Sequence, residues 1–126
     1  AAKALIDRQS GELIGICTFT AYSLEKQRVS GVLQGSQPSE IGVVRLVMLG
    51  VARKYQKRGF GQDLLCDFFE HVKIIHQALP IKGVYLDADS AAINFYARLG
   101  FVQLSATPNA FGAVPMFLAI QHILAA

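Results

Sequence analysis

Residues Gln56-Lys57-Arg58-Gly59-Phe60-Gly61 combine two properties that an anion site needs: a backbone free to turn and a local excess of positive charge. The glycines at 59 and 61 let the chain turn tightly and approach a ligand closely. An amphipathic helix opens directly after them, and its first N–H groups, which lack partners within the helix, point into the turn. Phosphate is the usual occupant of such a turn. A helix N-terminus contributes about half a positive charge, and a hydrogen bond to a charged oxygen is worth ~1.5–3 kcal/mol. The expected donors are the N–H groups of Lys57, Arg58, Gly59, Gly61 and Gln62, with the Lys57 and Arg58 side chains adding charge. The net charge is only +3, yet Arg53, Lys54, Lys57 and Arg58 place four of the twelve basic residues on or beside this loop. A phosphorylated cofactor is the expected ligand. An ordinary glycine turn with a solvated basic face is the plainer reading of the same residues. The segment is neither G-x-x-x-x-G-K-S/T nor G-x-G-x-x-G, which weakens nucleoside triphosphatase and Rossmann readings.

The elements that position this loop follow from the hydrophobic pattern. Residues 43–51 (VVRLVMLGV) are almost unbroken apolar, as in a central strand covered on both faces. From Gly61 the residues Leu64, Leu65, Phe68, Phe69, Val72 and Ile75 recur at helical spacing, predicting a helix to about His76 that Pro80 closes off. Leu13 to Thr20 reads as a strand, with residues 3–8 as its hairpin partner across Gln9-Ser10-Gly11. Residues 30–40 form a polar loop, and residues 82–88 another strand. Ser90 is expected to cap a short helix through Leu99 that Gly100 terminates. Phe101 to Leu104 and Val114 to Ile120 add two strands. The order β-β-β-α-β-α-β-β describes a mixed α/β sheet in one layer with helices packed on it.

Composition bounds the rest. At 126 residues the chain holds one domain and one sizeable core, and no apolar run approaches the ~18–20 residues that cross a bilayer. With no evident signal peptide, the expectation is a cytoplasmic protein without membrane contact. Cys17 and Cys66 lie in apolar segments and read as reduced core thiols. His71 and His76 are five apart and share no helix face, so no metal site is expected. A Ser-His-Asp hydrolase would need a G-x-S-x-G elbow, which is absent. The chain starts without Met and within a strand-like segment, so a preceding N-terminal part is expected to be missing.

The loop fits the Q/R-x-x-G-x-G/A motif and resembles that of the GNAT superfamily of N-acetyltransferases, with its strand before and helix after. Asn94-Phe95-Tyr96-Ala97-Arg98-Leu99-Gly100-Phe101 is similar to that family's second signature, and the resemblance spans about residues 12–120. It implies a GNAT-like fold that binds acetyl-CoA as acetyl donor. Gln56, Lys57, Arg58, Gly59, Phe60, Gly61 and Gln62 would hold the pyrophosphate, and Leu49, Gly50 and Val51 would pair with the pantetheine arm. Asn94 would bond the pantetheine amide, or else stand as a simple helix-surface residue.

Acetyl transfer from a thioester to an amine needs a neutral nucleophile, stabilisation of an oxyanion and a proton for the departing thiolate. The resemblance assigns the proton to Tyr96; the alternative is a core aromatic. No general base is evident, since Arg45 is the only charged residue in 43–51; Glu40, Asp87 and Asp89 remain open. An α-amine beside an ester carbonyl would need little help, which points to aminoacyl-tRNA.

Arg45-Leu46, Leu49 and Val51, then Asp87-Ala88, Ala92, Phe95-Tyr96, Gly100-Phe101 and Met116-Phe117-Leu118, are similar to the acetyltransferase toxins of bacterial toxin–antitoxin pairs. That resemblance implies a translation-blocking enzyme acting on aminoacyl-tRNA, a ribbon-helix-helix antitoxin as partner and a homodimer. The N-terminal helices that form part of the acceptor wall in such toxins have no counterpart in this sequence. Two alternatives stay open: a small-molecule or protein N-acetyltransferase, and a CoA-binding regulatory module without turnover.

Overall fold

A computed structural model describes all residues 1–126. Strand β1 (Ala2–Ile6) and strand β2 (Leu13–Glu25) form an antiparallel hairpin. Its turn is fixed by Asp7, whose Oδ1 accepts from the N–H of Gln9 at 2.9 Å. β2 then pairs along its length with β3 (Glu40–Val51), from Gly15 opposite Val51 to Glu25 opposite Glu40. β2 therefore runs to Glu25 rather than ending at Thr20, because the start of β3 offers its last residues a partner. A single-turn 3-10 segment (Lys26–Val29) and the loop through Ser39 join the two strands.

Helix α1 (Phe60–Ala78) follows, then β4 (Gly83–Asp89), α2 (Ile93–Arg98), β5 (Val102–Gln103), β6 (Ala113–Ala119) and α3 (Ile120–Ala125). The sheet order is β1-β2-β3-β4-β6-β5. β4 and β6 are paired antiparallel from Gly83–Ala119 to Asp89–Ala113. β3 and β4 run parallel and touch at only two pairs, Val44–Val84 and Arg45–Tyr85, before they part.

Alternation along the strands sends side chains to opposite faces. Phe19, Val44, Leu46, Val84 and Leu86 meet Leu64, Leu65, Phe68 and Val72 of α1, with Tyr96 of α2 in the same cluster. The opposite face buries a smaller group, including Leu24, Val29, Ile41, Val43 and Phe117. No helix is long and apolar enough to cross a membrane.

The mixed α/β sheet with flanking helices is the expected class, and three local readings are corrected. Ser90 makes no capping bond; it enters a 3-10 turn with Ala91 and Ala92, and the α-helix starts at Ile93. Cys17 is buried as expected, but Cys66 is exposed, because Leu64, Leu65, Phe68 and Val72 define the buried stripe of α1 and Cys66 lies off it. Residues 120–125, not foreseen as a helix, bury Ile120 and Ile123.

Candidate functional site

The glycine loop leaves β3 at Val51, makes one 3-10 turn (Arg53–Tyr55) and enters α1 through Gly59. Lys57 and Gly59 both have positive φ, +62° and +84°. Glycine suits that backbone; for Lys57 it is a held conformation, of the kind that clusters at ligand sites. The first bond of the helix is from Asp63 N–H to Gly59 C=O, at 3.0 Å. The N–H groups from Lys57 to Gln62 donate to no protein acceptor. A Cβ built at Gly59 would meet nothing within 4 Å, so this side of the turn is open. A row of free donors at the head of a 19-residue helix fits a pyrophosphate.

The loop is tied at both ends. Gln56 Nε2 donates to the Val51 carbonyl at 2.9 Å, so this side chain braces the turn instead of reaching outward. Tyr55, buried, donates its hydroxyl to Glu12 Oε2 at 2.7 Å, and Lys54 Nζ lies 3.0 Å from the same oxygen. The Tyr55 hydrogen bond and Lys54 hold the Glu12 carboxyl below its ordinary range. The Tyr55 and Phe60 rings meet edge to face at 5.9 Å, and the Arg58 guanidinium lies 5.6 and 5.3 Å from their centroids. Of the four cationic side chains here, Lys54 is paired and Arg58 is stacked, whereas Arg53 and Lys57 form no ion pair.

Where β3 and β4 part, a cavity of about 220 Å³ opens, lined by Leu46, Met48 and Leu49 of β3, Asp87 and Asp89 of β4, and Tyr96 of α2. A β-bulge follows directly after the last pair. Thr18 pairs with Met48 and Phe19 with Leu46, so Val47 is an extra residue. From Leu46 onward the β4-facing edge of β3 has no strand partner, and its backbone groups are free to pair with an extended ligand.

Tyr96 is 8% exposed and its hydroxyl has no protein partner. Its ring packs edge to face with Phe95 at 5.1 Å and Phe101 at 5.5 Å. Burial, and then the negative charge of Asp89, push the phenol above its usual value of 10.0. Tyr96 is therefore a protonated, unengaged hydroxyl at neutral pH, held by aromatic walls at the cavity.

The other polar groups belong to a network that the sequence did not announce. Asp87 accepts from Arg45 Nη2 at 3.0 Å and from the Tyr85 hydroxyl at 2.8 Å, and Arg28 Nη2 donates to Tyr85 Oη at 2.9 Å. Tyr22 stacks on Tyr85 at 5.5 Å, with Arg45 over the Tyr22 ring at 5.0 Å. The detectable signal was a lone arginine in one apolar strand and an aspartate in the next.

The structure brings Leu49 and Tyr96 to one cavity, and leads from Gly50 and Val51 into the loop of Gln56 to Gln62. It does not bring Asn94 there: that residue is exposed in the first turn of α2 and lines no part of the cavity. Glu40 sits at the far end of β3, where Ser23 Oγ donates to it at 3.0 Å. No three His, Cys, Asp or Glu side chains gather to hold a metal ion.

Residues 3–103 match the family model of the acetyltransferase (GNAT) domain. The chain is similar to a crystallised bacterial toxin, with 98% identity over 98% of this chain and 69% of that one, at a TM-score of 0.97. It shares the fold of a chain in the KacTA–DNA complex, at 23% identity and TM-score 0.79, covering 98% of this chain and 70% of that one. The same holds for AtaT complexed with acetyl-methionyl-tRNAfMet, at 21% identity and TM-score 0.79, covering 98% and 73%. No curated protein sequence matches. The family match across most of the chain agrees with the free donor row and the parted strands: the chain belongs to the GNAT acetyltransferases and is an acetyl-CoA-dependent N-acetyltransferase.

Proposed function

We propose that the acceptor is the amino group of an aminoacyl-tRNA and that the protein acts as a translation-blocking toxin. The observation that carries this reading is the 98% identity to a bacterial toxin. The AtaT structure, which holds an acetylated methionyl-tRNA on the same fold, supports the substrate class. A structure of AtaT with the C-terminus of the antitoxin AtaR supports an antitoxin as partner, and we extend that to a ribbon-helix-helix protein here. A cytoplasmic location and a homodimer go with the same reading.

The N–H groups from Lys57 to Gln62 would hold the pyrophosphate, with Lys57 free to add charge. The unpaired edge of β3 at Leu49, Gly50 and Val51 would pair with the pantetheine arm, aiming it into the cavity. Bound there, acetyl-CoA supplies a thioester carbonyl as electrophile. Tyr96 holds the proton that the departing sulfur needs; its raised pKa keeps that proton in place until negative charge develops. The aromatic packing from Phe95 and Phe101 fixes the ring, so the hydroxyl is presented with little orientational freedom left to lose.

The test is transfer of label from acetyl-CoA to bulk charged tRNA, with free amino acids and peptides as parallel acceptors. Label on the tRNA amino group is the expected result. Label only on the free amines would retain the acetyltransferase and discard the toxin reading.

A further inference from the structure

Within the cavity the titratable side chains are Asp87, Asp89 and Tyr96, and their surroundings separate them. Both oxygens of Asp87 are occupied, one by Arg45 and the other by Tyr85. An acceptor proton arriving there would displace a charge-assisted bond. Asp89, the last residue of β4, makes no hydrogen bond and no ion pair, and is exposed on the cavity side of the strand end. Asp89 and Tyr96 both line this cavity, and the Asp89 charge adds to the upward push on the phenol. No cation lines the cavity, and Arg45, beside it on β3, is already held by Asp87. From β2, Cys17 shares the buried cluster of Tyr96 and is fully buried.

We infer that Asp89 is the general base, the carboxylate that takes the proton from the acceptor nitrogen during acetyl transfer. The inference rests on the amine acetyl-transfer reading above and supplies the base that the sequence left open. As the C–N bond forms, the nitrogen becomes a strong acid and its surplus proton passes to an Asp89 oxygen, directly or through one water. As the C–S bond breaks, the sulfur takes the Tyr96 proton. Asp89, now protonated, and the tyrosinate are left in the same cavity, and transfer between them through water restores both. No proton is gained or lost overall. A free, solvated carboxylate suits this role because the nitrogen it serves is neutral at the start and acidic only after attack.

The experiment uses the full chain with two acceptors, bulk charged tRNA and the methyl ester of an amino acid. In Asp89→Ala, kcat is expected to fall about 10²-fold, with the KM for acetyl-CoA unchanged. Added formate, small enough for the vacated position, is expected to restore at least part of the rate. Tyr96→Phe, measured beside it, is not expected to respond to formate. Thermal melting and acetyl-CoA binding check that the variant folds. If Asp89→Ala does not fold, the near-isosteric Asp89→Asn takes its place and must lose kcat at unchanged acetyl-CoA affinity. Retention of near wild-type kcat, or a loss in Asp89→Ala that formate leaves untouched, would overturn the assignment. If the wild type acetylates the ester but not tRNA, the substrate reading fails and Asp89 is judged on the ester. If it acetylates neither, both readings fall.

Discussion

Arg45, the last residue of β3 to pair with β4, reaches Asp87, two residues past its paired Tyr85, with 3.0 Å between Nη2 and Oδ2. The ion pair stands where backbone pairing stops and the cavity begins. Beyond it, β3 and β4 share no hydrogen bonds, so side chains hold the mouth of the gap at a fixed width. Both groups are partly solvated, at 33% and 23% exposure, so their attraction is screened. A double-mutant cycle with Arg45→Met and Asp87→Asn is expected to return a coupling of about 1 kcal/mol in urea unfolding. Each single change is also expected to lower turnover, because the cavity loses its brace. Zero coupling would mean that the strands part independently of the pair.

Tyr96→Phe removes a hydroxyl that bonds to no protein group, so it leaves no partner stranded. Stability is expected to change little, while kcat falls by about 10²-fold or more. Calorimetric titration should find acetyl-CoA affinity unchanged. A variant that loses affinity together with turnover would return Tyr96 to the role of a packing aromatic.

Gly59 and Gly61 are expected to respond differently to alanine. At Gly59, φ is +84° and space is open, so Gly59→Ala meets backbone strain without a clash, a loss of about 1–2 kcal/mol. At Gly61, the added methyl would sit 3.7 Å from Val51 Cγ2 and 3.9 Å from Phe95 Cζ, ordinary contact distances. Gly61→Ala is then expected to hold or raise stability, by up to about 1 kcal/mol. Chemical denaturation of both variants checks the contrast. Acetyl-CoA titration should show weaker binding in Gly59→Ala, whose donor row is tilted.

Alkaline pH is expected to loosen the fold. Cys17, Tyr85 and Tyr96 all have their ionisation pushed upward mainly by burial. Because the folded values exceed the unfolded ones, the native state keeps these protons longer than the unfolded chain does. The associated stability is therefore fully present below the unfolded values, 9.0 for the thiol and 10.0 for the phenols, and is lost as pH rises through the higher folded ones. Urea midpoints measured from pH 8 to pH 11 should fall monotonically, and Cys17→Ala should delay the onset.

Much of this arrangement was legible in the chain. The run through Val51, the basic glycine turn and the stripe of α1 are local signals, each decided within a few residues, and each stands close to where periodicity placed it. Tyr96 was singled out by resemblance, but its isolation in a cavity depended on β3 and β4 separating, which no local pattern encodes. The same holds for Asp87 and Asp89. Two residues apart on one strand face, they look alike in sequence, and only the positions of Arg45 and Tyr85 make one a structural anchor and the other a free carboxylate. Asn94 is exposed in the first turn of α2, where both of its readings stay open.

The extra residue at Val47 changes the phase of the strand that carries it. Val44 and Leu46 face α1 before it, whereas Leu49 and Val51 face that side after it. One strand thus keeps two rhythms, an even one that builds the core and an odd one that delivers the chain to the loop. Taking Val47 into the regular ladder, with no residue lost, would leave the first half seated and turn the second over to the other face. Leu49 would swing out of the cavity and Val51 away from Gly61, and the donor row would face the wrong way in an otherwise folded protein.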